Sequence, residues 1–154
     1  MATQYVIFRV NDGEYGMDVS KVSAIETLTS VAPVPNAAEH ILGIMNLRGD
    51  VLPVYSLRNK FGLEEAPVDA QTKIIITKCC GVDIAFKVDE VKEIFTCEET
   101  ALTEFPSIAR RIETAYVDRV ANNNGRLILL INQDRVLLAD EAEAISEMVR
   151  KVDK

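Results

Sequence analysis

The chain repeats itself. Tyr15-Gly16-Met17-Asp18-Val19-Ser20-Lys21-Val22-Ser23-Ala24-Ile25 aligns without a gap on Ile84-Ala85-Phe86-Lys87-Val88-Asp89-Glu90-Val91-Lys92-Glu93-Ile94, so Val88 follows Val19, and Ile94 follows Ile25, by 69 residues. Upstream, Tyr5-Val6-Ile7 falls on Ile74-Ile75-Ile76 at the same spacing, and further on Gly49-Asp50-Val51-Leu52 echoes Gly125-Arg126-Leu127-Ile128 at 76. Shared β patterning produces part of such a match by chance, but an ungapped run of eleven positions favours structural duplication. Two repeats in 154 residues leave about 65 residues each, a size at which an isolated core is marginal. The units must therefore lean on each other through an apolar seam, and a seam between two β units is a place for a groove that takes a partner helix.

Within the repeats the local signals are mostly those of strands. Gln4 to Val10 is β-branched and aromatic, Asn11-Asp12-Gly13 is a turn, and Tyr15 to Val19 resumes the strand. Val31 to Val34, with Pro33 and Pro35 nearby, suits an edge or a loop. Further strands are expected at Val51 to Tyr55, Lys73 to Cys80, Val82 to Val88, Ile94 to Thr96, Tyr116 to Ala121 and Arg126 to Ile131, with Asn122-Asn123-Asn124-Gly125 a hairpin turn. Short helices are expected at Asn36 to Leu42 and Ser56 to Phe61, the latter ended by Gly62. A longer one over 140–152 has Asp140 as cap, Glu143 completing a capping box, and Ile145, Met148, Val149 and Val152 as an apolar stripe that reads as docked on the β units. The architecture expected is mainly β: a first barrel over 14–66, a second over 67–139, the N-terminal strand 4–13 fitting either, and the C-terminal helix. Gly62 to Gln71, polar and carrying Pro67, is the expected linker.

Composition narrows the chemistry. Hydrophobic residues at 48% and charged residues at 27% describe a globular chain rather than a disordered one. The longest apolar run, Leu127 to Ile131, falls far short of the roughly 20 residues a membrane helix needs, and no basic, apolar leader opens the chain, so the expected location is the cytoplasm. A net charge of −7 repels phosphate backbones and anionic lipid, and the only adjacent basic pairs are Arg110-Arg111 and Arg150-Lys151. Neither nucleic acid nor direct membrane insertion is expected. Cys79, Cys80 and Cys97 read as reduced, buried thiols.

Catalytic signals are weak. His40 is the single histidine, which excludes two-histidine metal sites, and a surface or cap role fits it. Three scattered thiols make a poor zinc cage. No nucleophile elbow, phosphate loop or dinucleotide fingerprint is present. Glu64-Glu65 and Glu98-Glu99 lie in polar segments and read as solvated charge. Neither cofactor nor metal is expected, and the chain reads as a non-enzyme.

One stretch is specific. Tyr15-Gly16-Met17-Asp18-Val19 with Val22 and Ile25, followed by Pro35 and by Ile41-Leu42-Gly43-Ile44-Met45-Asn46-Leu47-Arg48-Gly49-Asp50-Val51-Leu52-Pro53-Val54, resembles the CheW family of bacterial chemotaxis coupling proteins, as do Ser56 to Phe61 and Phe86 to Val91. The resemblance runs over roughly residues 4–150, so the whole of 1–154 is expected to form one CheW-like domain. It implies two SH3-like five-stranded barrels packed together. It also implies an adaptor that joins the cytoplasmic tips of methyl-accepting chemoreceptors to the regulatory domain of the histidine kinase CheA, at membrane-associated arrays, through separate surfaces. By the same resemblance, Val22, Ala24 and Ile25 fall on the family's partner-binding strand, and Gly43, Asn46, Leu47 and Arg48 on the adjoining segment. Physical chemistry supports Arg48, whose guanidinium sits in a turn where it can grip a carboxylate bidentately, though a solvated turn charge has the same appearance. Val22 and Ile25 read equally well as core residues, and Gly43 as a site of close backbone packing. Ala24 is a departure, because the family often has Glu there, and Glu26 is the nearest replacement.

Two rival readings follow from the same residues. A small enzyme would hold a carboxylate pair in the groove between the barrels, with raised pKa values. A barrel-based nucleic-acid binder would need a basic face that the net charge argues against.

Overall fold

The structure, a computed structural model, describes residues 2–28, 30–35, 37, 40–79, 81–104 and 116–136. In chain order the elements are β1 (Ala2–Val10), β2 (Gly13–Asp18), β3 (Val22–Thr27), β4 (Ile41–Leu47), β5 (Asp50–Ser56), α1 (Leu57–Lys60), β6 (Lys73–Cys79), β7 (Val82–Val88), β8 (Glu90–Glu98), β9 (Leu102–Glu104), β10 (Val117–Asn123), β11 (Arg126–Ile131) and α2 (Gln133–Val136).

The strands form a six-stranded sheet, β8-β1-β2-β11-β10-β9, and a five-stranded sheet, β3-β6-β7-β5-β4. Exchanging each strand for its counterpart in the other repeat (β1 with β6, β2 with β7, β3 with β8, β4 with β10, β5 with β11) turns one order into the other. The correspondence reaches the edges. Ala32 bridges to Ile44 on β4, as Thr103 on β9 pairs with Val120 on β10. The duplication visible in the sequence is thus a duplication of topology.

The pairing corrects the expected boundaries. A cut between residues 66 and 67 separates β6 and β7 from the strands they bond: β6 pairs with β3, and β7 runs parallel to β5. Likewise β1 pairs with β8, and β2 runs parallel to β11. The repeats have exchanged their leading hairpins, so one barrel holds β3, β4 and β5 with β6 and β7, and the other β1 and β2 with β8, β9, β10 and β11. The cause lies in two connections. Asp89 alone separates β7 from β8, and the 3₁₀ turn Val19–Lys21 separates β2 from β3. Neither is the two-residue, positive-φ turn that folds a strand back on its neighbour. The chain therefore passes at these points from one sheet to the other.

Strand alternation then divides the apolar side chains among three cores. Ile74, Ile76, Val54, Ala85, Met45 and Leu52 fill the five-stranded barrel. Ile7, Cys97, Ala121, Ile128 and Leu130 fill the six-stranded one. Val6, Phe8, Met17, Tyr55, Ile75, Ile84 and Phe86 pack between the two. The repeat predicts this partition residue by residue: Val6 and Ile75 face the seam, whereas Ile7 and Ile76 each face their own barrel. Both sheets curl until their ends approach, since Ala24 and Leu28 from the β3 side share a cluster with Met45 and Leu47 of β4.

One helix expectation changes. Ile41 and Leu42 begin β4 instead of ending a helix, because the mostly apolar run Ile41–Leu47 pairs with β5; Asn36, Ala38 and Glu39 lie outside the described residues, as does the expected helix over 140–152. The short helix after β5 is present, with Ser56 Oγ accepting from Asn59 N at 3.1 Å and Gly62 at φ 81° beyond its end.

Candidate partner-binding surface

The β4–β5 hairpin turns on Arg48 and Gly49, at φ 52° and 94°. Two consecutive left-handed residues match the twist of an antiparallel pair, which is why such turns prefer Asn-Gly. The equivalent turn in the second repeat obeys that preference, with Asn124 at φ 54° and Gly125 at φ 90°. Here an arginine holds the strained place. Asn46 locks the turn, its Oδ1 accepting from Gly49 N at 2.9 Å, as Asn122 Oδ1 accepts from Gly125 N. The Arg48 side chain is left 74% exposed, and Nη2 donates to Glu26 Oε1 at 2.8 Å. Glu26 lies on β3, at the far end of the sheet order, so this ion pair spans the closure of the barrel. It stands two residues beyond Ala24 on the same side of the strand.

The seven residues expected at the site do not share one environment. Arg48, Asn46 and Ile25, the last 37% exposed, reach the surface. Val22 is half-buried against the seam, and Ala24 and Leu47 are half-buried against the interior of the five-stranded barrel. Gly43 is buried in a β-bulge at φ 152°; a Cβ there would lie 2.2 Å from the carbonyl oxygen of Ala32. Its role is close backbone approach.

The interior of the seam is packed: a ladder of rings runs Phe8–Tyr15–Phe61–Tyr116, with centroid separations of 5.9, 4.8 and 5.3 Å. At its edge a small cleft is lined by Arg9, Arg58, Asp69 and Asp89. Burial pushes the Tyr116 hydroxyl up to about 12. The half-buried carboxylate at the seam's edge, Asp89, is paired. Arg58 of α1 donates to both its oxygens at 2.7–3.0 Å, and Asn11 N donates at 2.8 Å. Burial alone raises its pKa, but these donors outweigh that and hold it below the usual carboxylate value. This is a structural tie of α1 to the β7–β8 crossing and the turn after β1, missed from sequence, because Arg58 and Asp89 are 31 residues apart and nothing in their spacing pairs them. Among the described residues no three His, Cys, Asp or Glu side chains gather to hold a metal ion. No helix there is long and apolar enough to cross a membrane.

Comparison with known proteins places these observations. The CheW-like domain model matches residues 4–141. A chemotaxis protein CheW of Rhizobium meliloti is 30% identical over 141 residues, covering 92% of this chain and 91% of that one. A chemotaxis protein CheW of Bacillus subtilis is 28% identical, covering 90% and 89%. The crystal structure of the scaffolding protein TtCheW from Thermoanaerobacter tengcongensis superposes with a TM-score of 0.81 at 28% identity, covering 92% of this chain and 96% of that one.

Proposed function

Because this chain belongs to the CheW-like family of chemotaxis scaffolds, we propose that it holds the cytoplasmic tips of methyl-accepting chemoreceptors to the regulatory domain of the histidine kinase CheA, so that receptor state sets kinase activity. It acts without turnover, in the cytoplasm, at membrane-associated arrays. The observation that carries this reading is the Arg48 turn. An arginine side chain, 74% exposed and paired to Glu26, sits on a backbone conformation that arginine does not favour, where an asparagine would sit with less strain. Beside it the β3 edge offers Ile25. Arg48, Ile25 and the Asn46-fixed turn are the contacts. Val22, Ala24, Gly43 and Leu47 set the shape beneath them. The effect on the kinase is a bias between its conformations, worth as much as the adaptor's differential affinity for them. Pull-down of purified kinase regulatory domain and of a receptor-tip fragment by Arg48→Asp tests the site. Loss of one partner with retention of the other is expected. Undiminished binding of both removes Arg48 from the interface.

A further inference from the structure

Strand alternation turns two polar side chains into the five-stranded barrel. Ser56 ends β5, Lys87 is the last but one residue of β7, and the two are register partners, with Ile74 opposite Lys87 on β6. Val54 and Ala85, two residues earlier on the same strands, fill the barrel's interior, so Ser56 and Lys87 sit at its mouth and face inward. Ser56 is 1% exposed and Lys87 9%. An ammonium so placed requires a counter-charge, since a buried charge left unpaired is strongly destabilising.

The counter-charge comes from the connection between α1 and β6. Lys87 Nζ donates to Glu65 Oε2 at 2.9 Å, and Ser56 Oγ donates to Glu65 Oε1. Glu65, which reads in the sequence as solvated charge, is thus seated on two buried donors. The rest of the connection is anchored at its ends. Leu63 packs against the seam, its N donating to the Arg58 carbonyl, and Arg58 Nη1 donates to the Glu64 carbonyl. At the far end Asp69 Oδ1 accepts from Gln71 N and Thr72 N, and Thr72 is buried. Between these anchors the chain stands off from the body. Val68 is 55% exposed, and Ala66 and Pro67 border a cleft of about 120 Å³ lined also by Arg9, Arg58 and Asp89.

We propose that residues 62–72 are a strap over the mouth of the five-stranded barrel, that Glu65 is its latch, and that the Lys87–Ser56 pair beneath it is a carboxylate-binding site which the strap fills in cis. A span with few buried apolar contacts opens at lower free energy than the sheets it joins. Its ends stay fixed while the stretch from Glu65 to Val68 lifts, and Lys87 then meets water and any carboxylate dissolved in it. The strap joins β5 to β6 of one barrel, so its opening leaves both crossings between the barrels intact. None of its residues belongs to the Arg48 contact, and the proposal is independent of the adaptor reading.

Two measurements on the full chain test it. The first is the rate at which acetic anhydride acetylates each lysine, read by mass spectrometry, with the exposed Lys78 as reference. Glu65→Gln keeps the shape of the side chain and removes its charge. Lys87 is expected to react about tenfold faster or more in this variant, since a hydrogen bond between charged groups is lost. Amide exchange in β6 is expected to stay as in the wild type. An unchanged Lys87 rate overturns the latch, and so does a rise in β6 exchange by the same factor, which makes the exposure global unfolding. The second is chemical rescue of Glu65→Ala. Sodium acetate is expected to raise its Tm above that in sodium chloride at equal ionic strength. No such rise is expected in the wild type, nor in Glu65→Ala combined with Lys87→Met, where an apolar side chain removes the need for a counter-charge. An equal response of all three proteins, or none in Glu65→Ala, overturns the carboxylate site.

Discussion

Arg48→Asn separates the turn's stability from its use. The left-handed conformation costs an ordinary L-residue about 1–2 kcal/mol, and Asn, whose short side chain bonds locally, escapes much of it. The second repeat demonstrates the substitution in place, with Asn124 at φ 54° against 52° for Arg48. Against this gain stands the lost ion pair to Glu26. With the Arg48 side chain 74% exposed, that pair contributes about 0.2–1 kcal/mol. The balance is neutral to stabilising by about 1 kcal/mol, which for a chain of this length raises Tm by up to about 2–4 °C. Binding moves the other way: loss of a charge-assisted contact of about 1.5–3 kcal/mol weakens the Arg48-dependent partner by roughly tenfold or more. Calorimetric unfolding and titration calorimetry with the kinase regulatory domain and the receptor tip measure both on one sample. A fall in Tm of several degrees refutes the strain argument, since it would mean that the Glu26 pair outweighs the backbone cost.

Three further outcomes follow from the packing. Thr77 Oγ1 is buried without a hydrogen-bond partner among the described residues, so Thr77→Val, which keeps the shape and removes the hydroxyl, stabilises by about 1–2 kcal/mol in urea unfolding. Gly43→Ala places a Cβ 2.2 Å from the Ala32 carbonyl oxygen and costs about 3 kcal/mol or more, or prevents folding. In alkaline titration followed by tyrosinate absorbance, the Tyr116 hydroxyl ionises at about 12. Because that value is raised above the unfolded one, the associated stability is complete below about pH 10 and drains away as pH rises towards 12. Phe61→Ala, which opens the ring ladder, lowers this pKa, and a Tyr116 titration unchanged in that variant contradicts the stacking described for Phe61.

What the sequence made legible was what period and repetition encode. The 69-residue echo set Tyr5-Val6-Ile7 of β1 on Ile74-Ile75-Ile76 of β6, and β2 on β7; which of these residues face the seam is read only from the packing. Pairing partners were illegible, because alternation states which face a residue buries and is silent about its neighbour strand. That silence produced the cut at 66–67. Strand β4 was hidden because Asn36 and Glu39 have the spacing of a capping box, beside a run whose partner, β5, lies beyond the turn. At the site, the resemblance singled out seven positions without ranking them. Burial ranks them, since Gly43 owes its identity to Ala32 and Arg48 owes its exposure to a turn that only the backbone angles reveal.

The exchange of hairpins bears on how such a scaffold transmits force. Were the repeats side by side, each barrel would be one continuous stretch of chain, and the pair could rock about a linker. Here the linker, Gly62 to Gln71, joins β5 to β6 within a single barrel, and Glu65 and Glu64 are tied down to Lys87, Ser56 and Arg58. The true passages between barrels are the three residues Val19–Lys21 and the single residue Asp89, and Asp89 is clamped by Arg58 and Asn11 N. Two crossings this short, flanking a shared apolar core, leave little freedom for one barrel to turn against the other. Load applied at the Arg48 turn therefore reaches the six-stranded barrel through the backbone as well as through packing. On the adaptor reading the scaffold behaves as a stiff spacer, and the conformational change that sets kinase activity belongs to the proteins it holds.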